Sequence, residues 1–226
     1  MNASAMPALL LPGTLCSDVL WSGLSLPGGT QVRNIRGHSL ADAASRALEG
    51  VQGRVHLVGF SLGAIVAFEV LRLAPERVAQ LTLISANPHA PSAAQLHLWE
   101  EQQERVQAGE FGTLIAELSS GPHRQQLLEM AQQTGPQVFL EQLQLLRSRP
   151  DSRPTLSSWT GPLTLLTGQD DTVTPPHLSE EMKALAPQAD LRIVPGAGHY
   201  LPLDAPDVLS DILFRGNAVQ GVTSYA

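Results

Sequence analysis

Short apolar runs alternate with stretches of helical spacing along most of the chain, which predicts a parallel sheet joined by crossover helices. Pro7–Leu11 reads as a buried strand stopped by Pro12-Gly13, and Gln31–Ile35 as a second that ends before Arg36-Gly37-His38. Ser39 then fits a helix N-cap, with Asp42 in the first turn and Leu40, Ala43, Ala44, Ala47 and Leu48 on one face. Arg54–Val58 is a third strand running into Gly59. Leu62–Ala74 is apolar on nearly every side, so it predicts a helix buried against the sheet and closed by Pro75. Leu81–Ile84, Leu163–Thr167 and Leu191–Val194 complete six strands, with helices over Pro176–Leu185 and Ala205–Phe214.

Between Asn87 and Pro154 this rhythm breaks. The segment has no strand-like run and is rich in Gln, Glu and Leu, and Gly109, Gly121-Pro122 and Gly135-Pro136 punctuate it. Helical spacing within it, as in Leu96, Trp99, Gln103 and Val106, predicts about four short helices. Residues 87–154 are therefore expected to form a helical lid inserted in one domain whose core is 1–86 and 155–226. Gly216–Ala226 shows no periodicity and reads as a loose end.

Composition narrows the partners. The 226 residues are 43% apolar and 15% charged, a globular mix, and 14 Lys and Arg against 21 Asp and Glu leave a net charge of −7. That balance argues against nucleic acid and anionic membrane, which need a concentrated basic surface. No apolar run approaches the roughly 20 residues of a membrane span, and no Lys or Arg precedes the first one as in a signal peptide. One cysteine, Cys16, excludes an internal disulfide and a multi-cysteine zinc site. His89, His97 and His123 have no metal-ligand spacing, so no metal is expected. The expectation is a soluble, cytoplasmic protein, monomeric or homodimeric, acting on a small molecule.

The chemistry gathers at three strand ends. Gly59-Phe60-Ser61-Leu62-Gly63 places a serine on a sharp turn between a strand and a helix, with its Oγ exposed above the sheet edge. A serine hydroxyl needs a base, and the base needs an orienting carboxylate. Gly168-Gln169-Asp170-Asp171 supplies carboxylates after the fifth strand, and Gly196-Ala197-Gly198-His199 supplies an imidazole after the sixth. Ligands of open parallel sheets collect at that edge. Capping and turn roles suit Asp170 or Thr174 better than Asp171.

The segments L-L-L-P-G-T, G-F-S-L-G, G-Q-D-D-T-V-T-P and G-A-G-H-Y-L-P-L-D-A-P together resemble the α/β-hydrolase superfamily, from Leu9 to about Phe214. The resemblance implies about six mainly parallel strands flanked by helices, with the insert at the lid position and the family's first two antiparallel strands missing. It selects Asp171 over Asp170, since the family's acid falls third after the strand-ending glycine. It implies an oxyanion hole from the backbone N–H of Leu62 and of a residue after the first strand. There Pro12-Gly13-Thr14 stands where the family usually has His-Gly, so Thr14 is the expected donor and Leu15 the substitute. His38, in an R-G-H loop like the family's, is expected to be structural. Asp204 stands where a glutamate is usual.

The function so implied is a serine hydrolase of small carboxylic esters or thioesters, with Ser61 as nucleophile, His199 as base and Asp171 as orienting acid, and with no cofactor. Trp21, Phe60, Tyr200 and Arg149 are expected around the substrate, and Cys16 follows the oxyanion loop. Two alternatives accompany this reading. A carbon–carbon bond hydrolase or pyruvate-eliminating lyase of the same fold would need an arginine for its acidic substrate, with Arg124, Arg147 and Arg149 available in the lid. A non-catalytic ligand-binding or interaction protein is the other.

Overall fold

The computed structural model describes residues 6–215 and 223–225. Six strands lie parallel in the order β2-β1-β3-β4-β5-β6: β1 is Ala8–Leu11, β2 Gln31–Val32, β3 Val55–Phe60, β4 Val78–Ile84, β5 Leu163–Gly168 and β6 Asp190–Val194. The strands are apolar on both faces because both faces are covered. Leu9, Leu11, Leu57, Leu81, Leu83 and Leu165 pack on one side with helices α1 (Leu40–Leu48), α2 (Leu62–Leu73) and α7 (Pro176–Leu185). Their alternates Leu10, Val58, Ile84 and Leu166 pack on the other with the short helices α8 (Leu201–Asp204) and α9 (Pro206–Ser210).

One sequence expectation is corrected at the end of the chain. A seventh strand, β7 (Thr223–Tyr225), pairs antiparallel with β6 where a loose tail was expected. Adding a strand to a sheet edge uses only backbone donors and acceptors, so three residues manage it without an apolar pattern. The rest of that tail, 216–222 and 226, lies outside the described residues. The second strand is also shorter than its apolar run suggested, pairing only at Gln31 and Val32. The expected 205–214 helix is present as α9 running directly into a π turn over Asp211–Arg215, and α8 is a separate short helix before it.

The insert between β4 and β5 is built of helices joined by short loops. It comprises α3 (Ala93–Gln107), α4 (Phe111–Leu118), α5 (Arg124–Ser148) and the short α6 (Arg153–Ser157) leading back to β5. A capping box at Ser92 and Gln95 starts α3. Gly135, at φ 76°, breaks α5 into two helical segments, with Pro136 opening the second. The lid folds over the carboxyl ends of the strands, the edge where the candidate chemistry lies.

Candidate active site

Steric demands around the G-F-S-L-G turn explain its glycines. A Cβ at Gly63 would run into the carbonyl of Leu11, and one at Gly59 would sit 2.6 Å from the carbonyl oxygen of Gly63. Only hydrogen fits at either position, so β3 and α2 meet closely and the residue between them turns sharply. That residue, Ser61, adopts φ 52° and ψ −113°, a strained conformation for an L-residue. Its N–H donates to the carbonyl of Ile84 at 3.0 Å, which ties the turn to β4. The side chain does not cap α2, leaving Oγ free at the positive end of that helix.

His199 meets this oxygen. Its Nε2 lies 3.2 Å from Ser61 Oγ, across 138 residues of chain, and its Nδ1 lies 2.9 and 3.1 Å from the two oxygens of Asp171. The His199 backbone is held as well, its carbonyl accepting from Ser85 Oγ at 3.1 Å. Asp171 is buried and takes three further donors: the N–H groups of Val173 and Thr174 at 2.9 and 2.8 Å, and Thr174 Oγ1 at 2.7 Å. Burial by itself would raise its pKa. The hydrogen bond and charge of His199, with the bonds from Thr174, outweigh burial and hold the carboxyl below the usual carboxylate range. Asp171 thus forms the turn as well as facing the histidine, whereas Asp170 is exposed and its side chain makes no hydrogen bond among the described residues. Thr174 was not anticipated as a partner of the acid, although D-x-x-T at a helix approach is a recognisable turn pattern.

Two backbone N–H groups near Ser61 lack an acceptor among the described residues. Leu62 opens α2, so its N–H has no intrahelical acceptor, and the N–H of Thr14 donates to no acceptor among the described residues. The N–H of Leu15 is taken: it donates to Gln142 Oε1 at 2.9 Å. Of the two oxyanion-loop candidates, only Thr14 is free.

A cavity of about 350 Å³ opens above Ser61 and His199, enclosed by the lid. Phe60, Tyr200 and Arg149 line it, as does Cys16, with apolar wall from Ile65, Leu118, Leu127, Phe139 and Leu146. Trp21 does not line it, which corrects the sequence expectation. The 3₁₀ turn at Asp18–Trp21 sends this side chain into the core cluster with Leu20, Leu24 and Leu209, where burial of the large ring offsets an indole N–H that finds no acceptor among the described residues. Arg147 faces Gln103 and Glu100 outside the cavity, and Arg124 does not line it either. His38 is exposed and outside the cavity, its N–H donating to Asp42 and its carbonyl accepting from Gln144. His89 bonds Glu181 and His123 bonds Asp204. No group of three or more His, Cys, Asp or Glu is placed to hold a metal among the described residues.

A model of the alpha/beta hydrolase family matches residues 3–212. The chain belongs to this family. Among curated relatives it is 29% identical to the pimeloyl-[acyl-carrier protein] methyl ester esterase of Photobacterium profundum, over 92% of this chain and 87% of that one. It is 26% identical to the enzyme of the same name from Nitrosomonas europaea, over 81% and 79%. Its backbone superposes on a thermophilic esterase from Thermogutta terrifontis with a TM-score of 0.83 at 23% identity, covering 93% of this chain and 89% of that one. It also superposes on a hydrolase from Pseudomonas aeruginosa with a TM-score of 0.78 at 22% identity, over 95% and 91%. The chain is an esterase-like α/β-hydrolase with a helical lid, and no helix among its described residues is long and apolar enough to cross a membrane.

Proposed function

We propose that this protein hydrolyses carboxylic esters through an acyl-enzyme on Ser61. One observation carries the reading: the unbroken hydrogen-bonded line from Ser61 Oγ through the His199 ring to Asp171, opening into a mainly apolar cavity. In this mechanism His199 Nε2 takes the serine proton as Oγ attacks the acyl carbonyl. Asp171 holds the ring with its Nδ1 protonated and stabilises the imidazolium. The N–H groups of Leu62 and Thr14 receive the negative oxygen, and each such donor is worth about 2.7–4 kcal/mol in the barrier. The imidazolium then protonates the leaving alcohol, and a water molecule, activated by the same histidine, releases the acid.

Methyl esters of acyl chains are the first substrates to test, since the curated relatives are named for one carried on acyl-carrier protein. The test combines a fluorophosphonate probe with a panel of methyl and p-nitrophenyl esters. We expect labelling of Ser61, ester turnover, and loss of both in Ser61→Ala. Folded protein that neither labels at Ser61 nor turns over any ester overturns the reading. Turnover of a dienone acid with inactivity on every ester would favour carbon–carbon cleavage instead.

A further inference from the structure

Arg149 closes one end of the cavity, and its surroundings are unusual for a cation. The residue is only 6% exposed. Its Nε donates to the carbonyl of His89 at 2.8 Å and its Nη2 to Gln95 Oε1 at 2.9 Å, while its guanidinium lies 5.2 Å from the ring of Trp99. Gln95 is itself fixed by the capping box that starts α3, so the guanidinium is held in place from two sides. Yet among the described residues no carboxylate pairs with it, no Asp or Glu lines the cavity, and its Nη1 has no acceptor.

The neighbouring wall is polar in the same sense. Gln95, Trp99 and Gln102 stand at i, i+4 and i+7 on α3, one helix face, and all three line the cavity. Gln102 is buried, and its carboxamide has no hydrogen-bond partner among the described residues; the same holds for the hydroxyl of buried Ser119. A mostly buried cation without a counter-ion is costly, and the Gln102 and Ser119 polar groups, which stay open to the cavity, are available to a ligand. Burial lowers the Arg149 pKa to about 10, which leaves it charged at neutral pH. In a chain of net charge −7, this is a localised positive pole inside a mainly apolar cavity.

We infer that Arg149, with Gln102 beside it, binds a free carboxylate on the substrate, so that the preferred esters are those carrying such a carboxylate several methylenes from the scissile bond. The inference rests on the ester-hydrolase reading for its turnover test, but binding tests it separately. Monoesters of aliphatic dicarboxylic acids have the required chemistry. The carboxylate replaces the missing counter-ion at Nη1 and accepts from the Gln102 amide, while the methylenes lie along Leu118, Leu127 and Leu146.

The test compares monomethyl adipate with methyl heptanoate, a neutral ester of similar length, and extends to the monomethyl esters of succinate and suberate. We expect kcat/KM to favour the best half-ester by about 10- to 100-fold, the range for a hydrogen bond to a charged group, and mainly through KM. That ratio should collapse in Arg149→Gln and recover in part in Arg149→Lys. A purely structural arginine would alter both esters alike and leave the ratio unmoved. If Arg149→Gln does not fold, the ratio in the unaltered protein decides. Calorimetric titration of monomethyl adipate into Ser61→Ala is expected to show binding that methyl heptanoate lacks, whatever the turnover. Equal or better use of the neutral ester at every length, with no preferential binding to Ser61→Ala, overturns the inference. Preferential binding without turnover of any ester would leave it standing while the hydrolase reading falls.

Discussion

The backbone N–H of Leu15, in the loop after β1, donates to Oε1 of Gln142 in the lid at 2.9 Å, although 127 residues separate them. The same carboxamide donates through Nε2 to the carbonyl of Ile35, also at 2.9 Å. Gln142 is 1% exposed, and Leu15 is held at φ 58°. One lid side chain therefore sets the path of the loop that carries Thr14, the free N–H beside Ser61.

Gln142→Leu should consequently slow turnover as well as weaken the fold. It leaves two backbone groups unpaired, the buried Ile35 carbonyl at about 1–3 kcal/mol and the half-buried Leu15 N–H at less, measurable by urea unfolding. A misplaced Thr14 N–H should lower kcat on the order of 10- to 100-fold with little change in KM. A stability loss with kcat intact would show that the loop keeps its path without the lid.

Asp204 plays a comparable part on the histidine side. Its Oδ2 accepts the N–H of Gly198 at 2.8 Å, next to His199, and its Oδ1 lies 2.8 Å from His123 Nε2 in the lid. Asp204→Ala should loosen the loop and reduce kcat by roughly tenfold, about the worth of a charge-assisted hydrogen bond. His123→Gln, which keeps the Gly198 bond, should cost less. Equal losses would place the effect in the lid contact alone.

Acid stability should show two windows. His56 is buried on β3 with its Nε2 2.8 Å from Thr82 Oγ1, and burial depresses its pKa to about 4. Between its unfolded value of about 6.5 and about 4, the unfolded chain binds the extra proton, so stability falls as pH falls through that range, by up to about 3 kcal/mol. His56→Gln should flatten this part of the curve in chemical denaturation from pH 7 to 4. Asp171, whose pKa is lowered, contributes stability above its unfolded value of about 3.9, and this is lost only as pH falls further, through its folded pKa. An unchanged slope in His56→Gln would assign the upper window to other groups.

Cys16 should be inert although it lines the cavity. It is 3% exposed, its Sγ–H donates to the carbonyl of Thr14, and burial pushes its pKa up to about 12. Iodoacetamide at pH 8 should modify the unfolded protein and leave the native one unlabelled by mass spectrometry. Rapid native labelling would mean the lid opens far enough to expose the thiol.

Local rules account for much of what was legible in the chain. The apolar runs marked the six parallel strands, and the glycines around Ser61 marked a turn that only close backbone packing requires. Asp171 and His199 were readable because each follows a strand by a few residues, and parallel strands put those ends on one edge. Gln142 was not singled out, yet it left a trace: a polar residue on the stripe of Phe139, Leu143 and Leu146 has to find partners inside. Trp21 misled because adjacency to a reactive loop says nothing about which way a short 3₁₀ turn aims its side chain.

The sequence by itself determined the sheet, the lid's place in it and the three side chains that meet at its edge. Each depends on periodicity or on a turn only a few residues long. Tertiary structure alone decided which arginine enters the cavity, which N–H stays free and what the final residues pair with. Those outcomes rest on contacts such as Arg149 with His89 and Leu15 with Gln142, between segments 60 and 127 residues apart. No local pattern encodes such pairs, because the partner's position is set by the packing of everything between them.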